Sequence, residues 1–210
     1  MKQKQKQLLN KGRLKLIEGE EDAELNGQNL IRINGHEAKA VIYCQGWRGV
    51  QNPQFDWLPL IPNKGELLLI ECKELKEEAI LQKGIFVQPL GSNLYKVGAT
   101  YGRNEYDENA SNAGKEWIIQ RLDKIIKKPY QIVDQIAGVR PTVLDRRPLI
   151  GQHPEFQNQY IFNGFGSKGL SLIPWCAQHF TSFLLDSVSS LNAELDISRF
   201  YSRYDQNLGK

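Results

Sequence analysis

Apolar residues recur along this chain with two different periods. Residues 13–17 (RLKLI) and 29–33 (NLIRI) alternate apolar and polar positions, which predicts short strands with one buried face. Asn34-Gly35 predicts a tight turn after the second, so the region reads as a small antiparallel meander. Residues 40–44 (AVIYC) are continuously apolar, the pattern of a strand covered on both faces in a parallel sheet, and Gln45-Gly46-Trp47 ends them. Residues 52–63 hold three prolines and read as an extended loop, after which Lys64-Gly65-Glu66 opens a strand over 67–71. Residues 84–90 and 94–100 read as strands flanking Gly91-Ser92-Asn93, a hairpin signal.

The other period is helical. Ala113, Trp117, Ile118, Leu122, Ile125 and Ile126 predict a helix over 111–128 with a lysine-rich end, stopped by Pro129. A strand over 131–139 leads to Arg140, and an Asp145-Arg146-Arg147-Pro148 turn follows. A second apolar strand, 160–162, runs into a glycine-rich bend, 164–169. The segment after the bend, 170–185, predicts a long helix in which Pro174 occupies the first turn or makes a kink. Residues 196–204 predict a short helical tail. Residues 2–9 read either as the end of a helix stopped near Gly12 or as a frayed basic start.

Composition narrows the class. The 210 residues, 40% apolar and 24% charged, suffice for a substantial core. The net charge is +3, and Lys2, Lys4, Lys6 and Lys11 supply much of it, which speaks against a nucleic-acid or membrane-surface protein. Cys44, Cys72 and Cys176 make no metal-binding spacing and fit buried thiols in a reducing compartment. No apolar run approaches the roughly 20 residues of a membrane span, and no apolar core follows the basic start as in an export signal. The expected location is the cytoplasm.

Few residues offer chemistry. Gly164, Gly166 and Gly169 lie between a strand and a helix, where small residues permit positive φ and close backbone approach, and the helix start has free N–H groups. The same spacing also serves a plain strand-to-helix turn. Arg140, before Pro141, offers a planar guanidinium that binds a carboxylate bidentately; its partner is either a ligand or a structural carboxylate such as Asp145. Lys96, inside a half-apolar strand, is either solvated or a source of positive charge for a developing anion. Gly46, just past a buried strand, suits ligand approach or a simple loop. His36 reads as a turn residue, His153 as a loop residue and His179 as a surface or satisfied helix residue. None is assigned a metal.

Four pieces in order resemble the FAD-dependent oxidoreductases of the D-amino-acid oxidase superfamily, the glycine oxidase and sarcosine oxidase group. They are residues 40–46 (AVIYCQG), 96–100 (KVGAT), 138–151 with Gly138-Val139-Arg140-Pro141 and Pro148-Leu149-Ile150-Gly151, and 164–170 (GFGSKGL). The resemblance covers roughly residues 38–185. It implies a mixed α/β chain in which an incomplete FAD-binding Rossmann-type domain accompanies an antiparallel-sheet substrate domain. Residues 1–50 would end a substrate-domain/FAD-domain segment with its last buried strand, 51–135 would form the antiparallel-sheet substrate domain with one helix, and 136–210 would return to the FAD domain with the flavin-wrapping loop and C-terminal helices. It also implies that Arg140 binds a substrate carboxylate and that Lys96 sits by the flavin and assists its reoxidation. Gly46 and Trp47 would lie near FAD, and Gly164, Phe165, Gly166, Ser167, Lys168, Gly169 and Leu170 would wrap the flavin. The positions beside Arg140 hold no cysteine, so the FAD is expected to be non-covalent.

The implied reaction is oxidation of a C–N bond in a small amino acid or secondary amine by hydride transfer to flavin. The bend also resembles the FAD domain of bacterial enzymes that finish a modified tRNA uridine, a second substrate class. A third reading is a non-catalytic remnant or partner half of a split flavoprotein, because no GxGxxG unit for the ADP half of FAD precedes residue 38. The 210 residues alone are therefore expected to bind FAD poorly and turn over little. Mixing the chain with FAD and recording the protein-bound flavin spectrum after gel filtration checks this; stoichiometric retention contradicts it.

Overall fold

The computed structural model describes residues 24–25, 31–33, 36–76, 78–103, 105–185 and 190–208. The chain divides into two compact units, residues 1–41 and 42–210. In the first, β1 (Glu24–Leu25), β2 (Ile31–Ile33) and β3 (His36–Ala38) form an antiparallel meander. The predicted strand over 13–17 and the helix end over 2–9 lie outside the described residues. His36 is not a turn residue: it opens β3 opposite Ile33.

The next strand is β4 (Val41–Tyr43). The second unit continues with β5 (Leu60–Glu71), β6 (Leu81–Lys83), β7 (Ile85–Gly91), β8 (Leu94–Gly98) and β9 (Gly102–Arg103). Helix α1 (Asn112–Ile125), β10 (Gln131–Val143), β11 (Leu149–Gln152), β12 (Gln159–Asn163), α2 (Gly169–Leu185) and α3 (Tyr201–Leu208) follow. The larger sheet has the order β10-β5-β8-β7-β6, with β9 also on β5, and every pairing is antiparallel. The predicted β7–β8 hairpin is present. Its turn residues Ser92 and Asn93 have φ of 53° and 61°, the paired positive values that match strand twist.

Two boundaries differ from the sequence reading for one reason. The proline-rich segment is not loop to residue 63, because β5 begins at Leu60; nor does β10 stop at Arg140, because it continues to Val143. Pro62 of β5 stands opposite Pro141 of β10, so the two missing donors fall on one rung and the ladder resumes on either side.

Alternation on β5 sends its residues to two faces. Leu68 and Ile70 are fully buried, and they pack with Val87 and Val97 against Ile118 and Leu122 of α1. Glu66 lies on that same face, only 4% exposed, at the start of α1. Its carboxylate accepts from Ser111 N (2.8 Å), Ser111 Oγ (2.7 Å) and Gln135 Nε2 (2.7 Å). Ser111 caps the helix by accepting from Gly114 N at 3.0 Å. A Cβ on Gly114 would stand 2.4 Å from Glu66 Oε1, so glycine makes room for the acid at the positive end of the helix.

The smaller sheet has the order β11-β12-β4. The expectation that residues 40–44 are covered on both faces of a parallel sheet does not hold. Among the described residues β4 is a three-residue edge strand in a sheet that contains the antiparallel β11–β12 pair, and Ile42 is 42% exposed, with Cys44 exposed as well. Ile150 of β11 and Phe165 pack with Cys176 and Phe180 of α2. Pro174 lies in the second turn of α2 rather than the first, where it leaves the Leu170 carbonyl without its helical donor. His153 is buried, not in an open loop. Its Nδ1 accepts from Glu155 N and Phe156 N, both at 3.1 Å, and burial pushes its pKa down, which keeps it neutral. His179 is satisfied as the sequence suggests, accepting from Asn192 N at 2.9 Å.

Replacing Ser111 by Ala removes a cap and one bond to Glu66 together. It is expected to lower stability by about 1–2 kcal/mol, measured as a fall in the urea midpoint with unchanged slope.

Candidate functional site

The face of the sheet opposite α1 borders a cavity of about 710 Å³. β5 contributes Ile61 and Asn63, β10 contributes Arg140 and Thr142, and residues 98–101 close one side. The bend between β12 and α2 closes another through residues 164–168. A smaller depression of about 480 Å³ beside the β7–β8 turn shares none of these residues.

Arg140 is the polar centre of this arrangement. Its NH1 donates to Asn63 Oδ1 at 3.0 Å. No carboxylate among the described residues pairs with it. Asp145, the structural partner allowed by the sequence, binds Arg199 Nε at 2.9 Å instead, and Arg199 NH2 also donates to the Pro148 carbonyl at 2.8 Å. Half-burial pulls the Arg140 pKa below its ordinary value, opposed by the Coulomb effect of Tyr101; a guanidinium still keeps its charge. Room for it comes from Gly65, where a Cβ would stand 2.0 Å from Arg140 NH2.

The bend is shaped by its own packing. Gly164 has φ of 78° and lies so close to β10 that a Cβ would meet Val143 Cγ2 at 2.6 Å. Gly166 has φ of 52° and faces Thr142. Phe165 is 8% exposed and anchors the bend in the α2 core. A short 3₁₀ turn, Gly166–Lys168, leads into α2, its first bond running from Lys168 N to Phe165 O (3.0 Å). The Gly166 and Ser167 N–H groups have no acceptor within that turn.

Of the residues singled out from the sequence, Arg140, Gly164, Phe165, Gly166, Ser167 and Lys168 line one cavity. Gly169 and Leu170 begin α2 outside it, and Leu170 is 97% exposed. Lys96 does not line it either. It is half-buried on the cavity-side face of β8, two residues from Gly98, opposite Leu69 and Gln88. Gly46 and Trp47 lie in a 3₁₀ turn, Gly46–Gln51, that is tied to the bend through one side chain. Buried Asn163 donates from Nδ2 to the Gly46 carbonyl and accepts from Gly164 N, both at 2.8 Å. Gly46 has φ of 61° and open space where a Cβ would be, whereas Trp47 Nε1 donates to Glu108 at 2.8 Å.

The sequence reading missed Asn63, Arg103 and Arg146, which also line the cavity. With Arg140 and Lys168 they give a lining with four cations and no Asp or Glu. Asn63 sat in what reads as a loop, and the cross-strand register that gathers these residues has no signal in a single sequence.

Comparison with known proteins accounts for this architecture. Glycine oxidase from Geobacillus kaustophilus is 26% identical over 121 residues, covering 56% of this chain and 32% of that protein. The tRNA 5-methylaminomethyl-2-thiouridine biosynthesis bifunctional protein MnmC from Legionella pneumophila is 25% identical over 221 residues, covering 90% of this chain and 33% of that protein. The crystal structure of the Geobacillus glycine oxidase superposes with a TM-score of 0.68 at 21% identity, over 85% of this chain and 50% of that one. Iminodiacetate oxidase from Chelativorans sp. BNC1 gives 0.69 at 19% identity, over 85% and 51%. The chain therefore spans about a third of the length of these curated relatives and about half that of the solved structures. Its mixture of helices and antiparallel sheets is the fold of that part of these enzymes. The family model "DAO: FAD dependent oxidoreductase" matches residues 6–183, and the chain belongs to that family of flavin-dependent oxidoreductases.

Proposed function

We propose that this chain provides the substrate wall and part of the flavin wall of an enzyme that oxidises the C–N bond of a small amino acid or secondary amine. One observation carries the reading: Arg140 is a half-buried cation with no carboxylate partner among the described residues, held in a cavity bounded by the bend of residues 164–168. A substrate carboxylate supplies the missing counter-charge and leaves its amine-bearing carbon inside the cavity.

The residues present suit FAD. The cavity volume lies within the range of cofactor and small-ligand sites. Backbone N–H groups of Gly166 and Ser167 offer donors to a flavin oxygen, and Gly46 leaves backbone open to close approach. Residues 164–170, Gly46 and Trp47 are the proposed cofactor contacts. Bound FAD would supply the redox chemistry, taking up the hydride that leaves the substrate carbon. The chain's own part is electrostatic and positional. Arg140 orients the substrate, the apolar side chains of Ile61 and Phe86 exclude water, and Lys96 adds positive charge behind Gly98. Among the described residues no cysteine lines the cavity, which is consistent with the proposed non-covalent attachment.

The second reading, oxidation of an amine on a modified tRNA base, has support of its own. MnmC matches 90% of this chain, and Arg103, Arg146 and Lys168 add cations that would suit a nucleotide phosphate. A free amino acid and a modified tRNA, offered to the same flavin-loaded protein, separate the two.

Arg140→Leu, made in a complete flavin-loaded protein, is expected to lower kcat/KM for a carboxylate-bearing amine by about 10- to 100-fold, and to leave an amine without a carboxylate almost unaffected. An unchanged KM for the carboxylate substrate removes Arg140 from the role. Gly65→Ala tests the geometry separately: its Cβ occupies the place of the guanidinium, so the same loss is expected with Arg140 still present.

A further inference from the structure

Asn63 is 1% exposed and lines the cavity. Its amide orientation is fixed chemically, because a guanidinium only donates, so Oδ1 must face Arg140 NH1. That leaves Nδ2, a buried donor with no acceptor among the described residues. A buried amide left half-satisfied calls for an explanation, and a ligand acceptor is the direct one. The strand register adds a second observation. Asn63 is the direct partner of Arg140 on β10 and of Arg103 on β9, so the three side chains form one row across the same face of the sheet. Both arginines line the cavity, and neither is paired with a carboxylate among the described residues.

We propose that the row Arg140, Asn63, Arg103 is a seat for a dianion, so that the site takes an amine substrate carrying a second anionic group besides the carboxylate held by Arg140. The inference rests on the carboxylate role given to Arg140 under the proposed function. Arg140 and the Asn63 Nδ2 group share the first carboxylate, and Arg103 meets the second group from the far side of Asn63. The amide serves as a spacer: a carboxylate at residue 63 would neutralise both arginines, whereas an amide uses its oxygen on one and offers its nitrogen to the ligand. This predicts preference for dicarboxylic over monocarboxylic amines.

The test is calorimetric titration of the 210-residue chain with acetate, malonate and succinate at fixed ionic strength, which needs no flavin. At least one dicarboxylate is expected to bind about tenfold or more tighter than acetate. Arg103→Gln, an exposed position where folding is not at stake, is expected to abolish that advantage while leaving acetate unchanged. Asn63→Ala is expected to weaken all three. Equal binding of the three anions, no binding of the dicarboxylates, or an unchanged ratio in Arg103→Gln overturns the dianion seat. Arg140→Leu separates this from the underlying reading. If it abolishes acetate binding while Arg103→Gln changes nothing, only the dianion seat fails. If it leaves acetate binding intact, the carboxylate role of Arg140 fails and the seat fails with it.

Discussion

The structure depends on the period-two alternation of β5. Successive residues of this strand must serve opposite faces, and the two faces have incompatible requirements. Lys64, Glu66, Leu68 and Ile70 meet α1 and the chain that leads to it, while Ile61, Asn63 and Gly65 meet the cavity and Arg140. A one-residue slip would drive Arg140's neighbours into the apolar core and expose Leu68 and Ile70. Register is therefore held from several sides: by the long pairing with β10, by β8, and by the buried Glu66 carboxylate that fixes the start of α1 to the strand. The same contacts that hold the core in register also set the position of Asn63 relative to Arg140.

Charge is treated differently on the two faces. Lys64, with a side chain only 7% exposed, is neutralised by Asp107 at 2.7 Å and Glu105 at 3.6 Å. The Asp107 hydrogen bond raises the lysine pKa and lowers that of the aspartate, the signature of a mutually stabilising pair. Arg140, one rung away on the other face, has among the described residues no carboxylate partner and donates to the neutral oxygen of Asn63. A partly desolvated cation without a counter-ion costs stability, whereas a paired one does not to the same degree. The chain satisfies one cation internally and leaves the other to the cavity, and this asymmetry is the physical basis for reading the cavity as an anion site.

Local signals made many of the elements legible in the sequence. The α1 periodicity, the Gly91-Ser92-Asn93 turn and the strand-bend-helix order around Gly164 each have a nearest-neighbour cause. Residues 52–63 misled because three prolines read as loop, while the ladder absorbs two missing donors on one rung. The apolar run at 40–44 misled because it reads as buried whatever lies beside it, and among the described residues it is an edge strand. Part of the cavity lining was legible, Arg140 and the bend, because each residue type carries its own chemistry. Asn63 and Arg103 were not, since their meaning lies only in being opposite each other and Arg140 across three strands.

That distinction also separates two uses of glycine in the site. Gly164 is required by the chain itself, through its positive φ and the contact a Cβ would make with Val143. Gly65 has no such backbone requirement; its missing side chain is space that Arg140 fills. Gly138, directly opposite Gly65, has nothing within 4 Å of its absent Cβ, so neither conformation nor its own neighbours explain it. Together the pair leaves one rung of the β5–β10 ladder without side chains, two residues along from the rung of Asn63 and Arg140 and so next to it on the cavity face. The bare rung leaves the space over Gly65 that the guanidinium occupies, with its NH1 directed to the Asn63 side chain. Shape and charge at this site thus come from two rungs that are neighbours on one face of the sheet.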